Sequence, residues 1–233
     1  MDKMLQTLQD GLQAMNLPLS EETCRTLCAF GSAVVEQNKV MNLTAITEPE
    51  AVAKLHLLDS VSILKCVALS GKRLIDVGCG AGFPGVPVKI ACPDVSLTLL
   101  DSLGKRMNWL AATLPELGVE AEYVTARAEE AVADRRESYD FASSRAVARL
   151  NVLLELTAPF VKVGGAVLAM KGSAAAEELQ EAQNAITKLG LKLESIHHFP
   201  VDGADHAVIV LRKVRSTPAQ YPRRFAKIKQ FPL

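Results

Sequence analysis

Apolar positions in the first part of the chain recur at helical spacing. Leu5, Leu8, Leu12 and Met15 fall on one face, and the pattern predicts two amphipathic helices over residues 1 to about 38. Ser20 stands where an N-cap for the second would be, ahead of Thr23 and a run through Val35. The segment NLTAITEPEAVAKLHLLDSVSILK (42–65) predicts a turn and a third helix. Thr47 is its expected cap, with Pro49 and Glu50 in its first turn.

From Lys72 the pattern changes. Short apolar runs, RLIDV (73–77), VSLTLLD (95–101), EAEYVT (120–125), YDFASS (139–144) and GAVLAMK (165–171), alternate with amphipathic stretches. Those stretches are VPVKIAC, KRMNWLAATLPEL, ARAEEAVAD and LNVLLELTAPFV. Strand alternating with helix predicts a parallel sheet covered on both faces. A further helix, AAAEELQEAQNAITKLG, follows the fifth strand. KLESIHHFPVDGADHAVIVLRKV then reads as two strands joined around Asp202-Gly203. The expectation is an α/β fold with a mostly parallel seven-stranded sheet ending in an antiparallel hairpin. Residues 1–68 form an N-terminal helical extension, 69–214 the ligand-binding domain and 215–233 a tail.

Composition narrows the class. The 233 residues are 49% hydrophobic and 22% charged, enough for a sizeable core. No stretch approaches the ~18–20 uncharged apolar residues of a membrane helix, and the N-terminus lacks the apolar core of a signal peptide. Cys24, Cys28, Cys66, Cys79 and Cys92 are odd in number and contain no CxxC pair. They read as reduced thiols in a cytoplasmic protein without a metal site. Net charge is zero but unevenly spread. Seven basic and no acidic residues follow Asp205, giving +7 there against 19 basic and 26 acidic residues, or −7, before it. A basic tail on an acidic body suits a polyanionic partner; a solvated terminus accounts for the tail equally well.

Candidate chemistry begins at LIDVGCGAGFPGVPVKI (74–90), where four glycines fall within eight residues after a strand. Glycine lets a backbone approach a ligand closely, and this turn lies where open α/β sheets bind ligands. A dinucleotide site wants G-x-G-x-x-G, but Phe83 occupies the third small position. No Lys-Ser or Lys-Thr follows for a Walker loop. What remains is D-x-G-x-G-x-G from Asp76, which looks like the first motif of the class I S-adenosylmethionine methyltransferases, whose fold is Rossmann-like. An acidic residue two before the first glycine suits a cationic ligand better than a pyrophosphate. Asp101 ends the second strand, where an acid accepts ribose hydroxyls or caps a helix.

The following pieces are more specific. GFPGVPVKI, LLDSLGKRMNWL, RAEE, SSRAVARL and MKG occur in that order, with NLTAITEPEAVAKLHLLDS upstream. Together they resemble the RsmG (GidB) family of bacterial 16S rRNA guanine-N7 methyltransferases, from about Asn42 to the C-terminus. The resemblance implies S-adenosylmethionine as donor and N7 of guanosine 527 in the 530 loop of 16S rRNA as acceptor. It places cofactor contacts at Gly78, Gly80, Phe83, Asp101, Ala128, Glu129 and Arg145. The ending YPRRFAKIKQFPL departs from the family's glycine- and proline-containing version at Ala226, Ile228 and Gln230.

No general base is obvious, and guanine N7, which carries a lone pair and no proton, needs none. No N-P-P-Y or D-P-P-Y segment occurs for exocyclic adenine amine chemistry, nor a Pro-Cys nucleophile for cytosine C5. Arg145 follows the fourth strand and is expected to position substrate and cofactor. Phosphate contacts are expected from Lys171, Arg212, Lys213, Arg223, Arg224, Lys227 and Lys229. Lys171 reads equally as a solvated strand end, and His56 and Asp59 as a lid or as a buried, satisfied pair. One Trp and three Tyr are too few for a base-stacking platform. The expected partner is the small ribosomal subunit, met by a monomer without a membrane. The competing readings are a small-molecule methyltransferase and a non-enzymatic rRNA-binding assembly factor.

Overall fold

The computed structural model describes residues 3–201 and 204–233. The first two helices span Lys3–Ala14 (α1) and Glu21–Asn38 (α2). Ser20 caps α2, its Oγ accepting the Thr23 N–H at 3.1 Å. That satisfies one of the N–H groups a helix start leaves without partners. The third stretch departs from the single α-helix expected. Glu48 rather than Thr47 precedes Pro49–Val52, and the turn Ala53–Leu58 widens into a π-helix before Asp59–Val61 resumes. The Asp59 N–H reaches back to Lys54 O, five residues away. Such a turn re-aims the side chains on it and recurs at functional sites.

The strands are β1 (Arg73–Val77), β2 (Ser96–Asp101), β3 (Glu122–Thr125), β4 (Tyr139–Arg145), β5 (Val161–Lys171), β6 (Leu191–Val201) and β7 (Ala204–Lys213). Their order is β3-β2-β1-β4-β5-β7-β6. The first five pair in parallel, and β7 runs antiparallel to both β5 and β6. The turn expected at Asp202-Gly203 lies outside the described residues. The direction of winding reverses between β1 and β4, which opens a crevice beyond their carboxyl ends. The helix expected over 174–190 is interrupted at Ala182 (φ −83°, ψ 2°). That residue is fully buried against the sheet, and no change in the apolar spacing marks the break.

Alternate residues of the strands supply two cores. Leu74, Leu97, Leu99 and Leu168 face one side, where Leu8, Leu27, Phe30 and Leu57 of the N-terminal helices join them. Ile75, Ala142, Val167 and Ile209 face the other, against Leu153, Leu154 and Ile186. The N-terminal helices are therefore one of the layers that bury the sheet. The tail packs too: Tyr221 joins the second core, and Ile228 of the helix Phe225–Gln230 is fully buried.

Candidate active site

The loop after β1 is built to stay open. The Gly78 and Cys79 N–H groups both donate to Leu100 O, at 2.8 and 3.1 Å, which ties the loop to β2. Gly78 has φ +71°, and a Cβ there would stand 2.6 Å from Val147 Cγ2. Both facts require glycine. Asp76 does not face a ligand, contrary to the expectation from its place in the motif. It is fully buried, its Oδ2 accepting the Gly85 N–H at 2.9 Å and its Oδ1 the Ser143 hydroxyl at 3.1 Å. Gly85 passes so close that a Cβ would lie 2.9 Å from Asp76 Oδ2. Burial pushes the Asp76 carboxyl up to about 7, against the lowering effect of those two hydrogen bonds. Asp76 pins the loop from beneath.

Above the loop lies a cavity of about 570 Å³. The structure brings Gly78, Gly80, Phe83, Asp101, Ala128, Glu129 and Arg145 together on its walls. Asp101 accepts the Gly80 N–H through Oδ2 at 3.0 Å and the Leu103 N–H through Oδ1 at 2.9 Å. Each carboxylate oxygen has a further lone pair, so capacity for a hydroxyl donor remains. Phe83, which breaks the dinucleotide fingerprint, avoids the helix–strand contact by turning toward the N-terminal helices. Its ring centroid lies 5.3 Å from that of Phe30 and 4.6 Å from that of His56, stacked on the latter at 19°. Arg127, Val147 and Phe225 also line the cavity. Sequence reasoning missed them; Phe225 comes from the tail, and no local pattern places it beside β1.

Arg145 is held by three partners. Its Nη1 donates to Asp59 Oδ2 and Leu55 O, each at 2.9 Å, and its Nη2 lies 3.1 Å from His56 Nδ1. A guanidinium only donates, so His56 Nδ1 accepts and the ring proton sits on Nε2, 2.8 Å from Thr44 Oγ1. Burial, reinforced by the Arg145 charge, lowers the His56 pKa to about 4, which keeps the ring neutral. Asp59 Oδ1 meets His206 Nδ1 at 2.9 Å, and this hydrogen bond raises the His206 pKa. Sequence reasoning missed His206, which stands near the far end of the chain. Ala146 follows with φ +55°, a conformation alanine seldom adopts. A second cavity of about 640 Å³ shares His56, Arg145, Ala146 and Val147 with the first. Asp59, Lys171, Glu178 and His206 line only the second.

The basic residues expected to meet phosphate divide into two groups. Four are engaged within the fold. Lys171 Nζ bonds Ala148 O at 2.5 Å and Glu178 Oε2 at 2.8 Å. Arg212 pairs with Glu194 and donates to Gly164 O. Lys213 is fully buried, bonding Ala158 O, Val161 O and Glu137 Oε1, and burial lowers its pKa. Arg223 grips the fully buried Glu155 with Nε at 2.8 Å and Nη2 at 2.6 Å. Only Arg224, Lys227 and Lys229 of the seven are solvent-exposed.

Residues 23–207 match the sequence profile of the family described as rRNA small subunit methyltransferase G. The chain is 44% identical over 223 residues to the ribosomal RNA small subunit methyltransferase G of Alkaliphilus metalliredigens, covering 93% of each. It is 40% identical over 232 residues to that of Clostridium botulinum (strain Loch Maree / Type A3), covering 97% of each. Among solved structures, M. jannaschii TYW2 in complex with AdoMet superposes with a TM-score of 0.54 at 13% identity, over 67% of this chain and 77% of that one. Precorrin-6y C5,15-methyltransferase from Geobacter metallireducens gives 0.51 at 13%, over 74% and 92%. At that identity the structural likeness speaks for the fold.

Proposed function

This chain belongs to the rRNA small subunit methyltransferase G family, and from that premise we propose that it methylates N7 of guanosine 527 in the 530 loop of 16S rRNA, with S-adenosylmethionine as donor. The observation that carries the reading is the pair of cavities meeting at Arg145, Ala146 and Val147. One cavity has the walls of a nucleoside site, and the other opens beside it for an acceptor.

The residues present fit that donor. A cavity of about 570 Å³ is within the ~300–1,000 Å³ of small-molecule sites. Asp101 would take the ribose hydroxyls, Ala128 and Glu129 the adenine edge, and Gly78 and Gly80 leave the backbone bare for the remainder. When bound, the donor would supply an electrophilic methyl on a sulfonium, and N7, which brings a lone pair and no proton, would need no base to take it as the positive charge passed from sulfur to the purine. The protein's part is to hold the reactants in line. Asp59, Leu55 and His56 fix Arg145 at the junction of the cavities, and neutral His56 stacks on Phe83 to close the site from the N-terminal side. Arg224, Lys227 and Lys229 supply phosphate contacts.

The test is radiolabelled methyl transfer from S-adenosylmethionine to 30S subunits from a strain lacking this gene, mapped by primer extension after N7-specific cleavage. A single stop in the 530 loop is expected. Saturable donor binding with no incorporation would overturn the acceptor assignment.

A further inference from the structure

The second cavity has two kinds of wall. His56, Arg145, Ala146 and Val147 face both cavities, whereas Asp59, Lys171, Glu178 and His206 face this one alone. Most of the polar atoms on the second wall are already satisfied. Asp59 accepts from Arg145 through one oxygen and meets His206 through the other. Lys171 is held by Ala148 O and Glu178 Oε2. Glu178 Oε2 also accepts the Leu150 N–H at 2.7 Å. Two polar atoms of this wall make no hydrogen bond among the described residues, Glu178 Oε1 and His206 Nε2. The carboxylate oxygen is an acceptor. The imidazole turns its Nδ1 to Asp59, so that nitrogen carries the proton of the hydrogen bond; Nε2 accepts in the neutral ring and donates in the imidazolium, which the Asp59 hydrogen bond favours.

Resting on the guanine-N7 reading above, we infer that this wall reads the Watson–Crick edge of the acceptor base, Glu178 Oε1 accepting from N1–H and the 2-amino group. The geometry points that way because N7 must face the shared wall, beyond which the methyl donor sits. The far edge of the purine then faces the residues that line only the second cavity. Guanine presents two adjacent donors there, N1–H and the 2-amino group, which a free carboxylate oxygen complements. Adenine presents a bare N1 there, which sets its lone pair against the carboxylate oxygen and leaves that oxygen without a hydrogen bond. The same contact assists the chemistry. A carboxylate drawing on N1–H pushes electron density into the ring toward N7, and it opposes the positive charge the methylated purine acquires. Lys171 has a positioning role here, since its ion pair at 2.8 Å holds Glu178 in place.

The experiment uses the full-length enzyme and 30S subunits reconstituted with 16S rRNA carrying either guanosine or inosine at the target. Inosine keeps N7, O6 and N1–H and lacks only the 2-amino group. The wild type should lose about tenfold in kcat/KM on inosine, the value of one hydrogen bond to a charged group. Glu178→Gln keeps an oxygen for the Leu150 N–H but replaces the free acceptor by a donor. It should lose at least as much on guanosine and treat the two substrates within about twofold of each other, with affinity for S-adenosylmethionine unchanged. A merely structural Glu178 would lower both rates and leave the ratio alone. Equal rates on guanosine and inosine in the wild type, or full discrimination retained by Glu178→Gln, would overturn the assignment. Should Glu178→Gln lose donor binding and so prove misfolded, Glu178→Asp carries the same comparison. Discrimination cut below about threefold supports the assignment, and full discrimination overturns it. No transfer by the wild type to guanosine subunits would overturn the proposed function itself, and this assignment with it.

Discussion

Asp76 carries its proton at a pH where an ordinary carboxyl has lost it. Its folded pKa of about 7 lies above the ordinary 3.8, because burial outweighs the hydrogen bonds from Gly85 and Ser143. Between those values the native state binds a proton that the unfolded chain does not, so stability falls as pH rises, by up to about 1.4 kcal/mol per pH unit, and levels off above about pH 7. Asp76→Asn removes this slope. Its amide oxygen can take the Gly85 N–H and its NH₂ can donate to Ser143 Oγ, so both contacts survive. Urea unfolding of the two proteins from pH 5 to 8 should show the variant gaining on the wild type up to about pH 7 and no further. A pH-independent difference would mean that the carboxyl is ionised throughout. The spacing of Asp76 from Gly78 was legible as the start of a glycine-loop motif. Its role was not, because the same spacing serves a residue facing a ligand and one facing the protein. The choice is made by Gly85, whose missing Cβ lets the helix start sit directly on the carboxyl.

Elements with a strong pattern were legible: α1 and α2 from helical spacing, the five parallel strands from short apolar runs between helical stretches, and the closing hairpin from two such runs around a turn. The π turn Ala53–Leu58 was not, since its residues have ordinary helical character and the widening shows only in the backbone. The tail divides its charge in a way the sequence does not show. Two adjacent arginines have identical propensity and charge, yet Arg223 grips Glu155, fully buried on the helix Leu150–Thr157, while Arg224 is exposed. Arg223→Ala leaves that carboxylate buried without a counter-charge, keeping only the backbone N–H of residue 223, a change that costs about 3–5 kcal/mol. The cheapest relief is for the tail to detach, which exposes Glu155 and removes Phe225 from the wall of the first cavity. Hydrogen exchange over 221–230 should therefore rise sharply in Arg223→Ala, and affinity for S-adenosylmethionine should fall. Arg224→Ala should change neither. Equal protection of the tail in both variants would show that Tyr221 and Ile228 hold it without the ion pair.

At the scale of the molecule, the zero net charge conceals a division that counting cannot resolve. A sheet of this width must satisfy its edges and helix ends internally, and it recruits basic residues to do so. Lys213 anchors the turn before β5 through Ala158 O and Val161 O, and Arg212 cross-links β7 to Glu194 of β6. Those cations are already engaged within the protein. Of the seven basic residues expected to meet RNA, three remain exposed, Arg224, Lys227 and Lys229, and all lie on or beside the short helix that contributes Phe225 to the first cavity. The salt dependence of RNA binding distinguishes this arrangement from a tail that uses its whole charge. Each phosphate contact adds about 0.7 to 0.9 to the slope of log K against log salt. Neutralising Arg224, Lys227 and Lys229 together should reduce the magnitude of that slope for 30S binding by about 2 to 3. Arg212→Gln should leave it unchanged, because that guanidinium is already paired with Glu194. If Arg212→Gln lowered the slope by about one unit as well, the β6–β7 edge would have to open onto the RNA, and the binding face would extend from the tail helix across the end of the sheet.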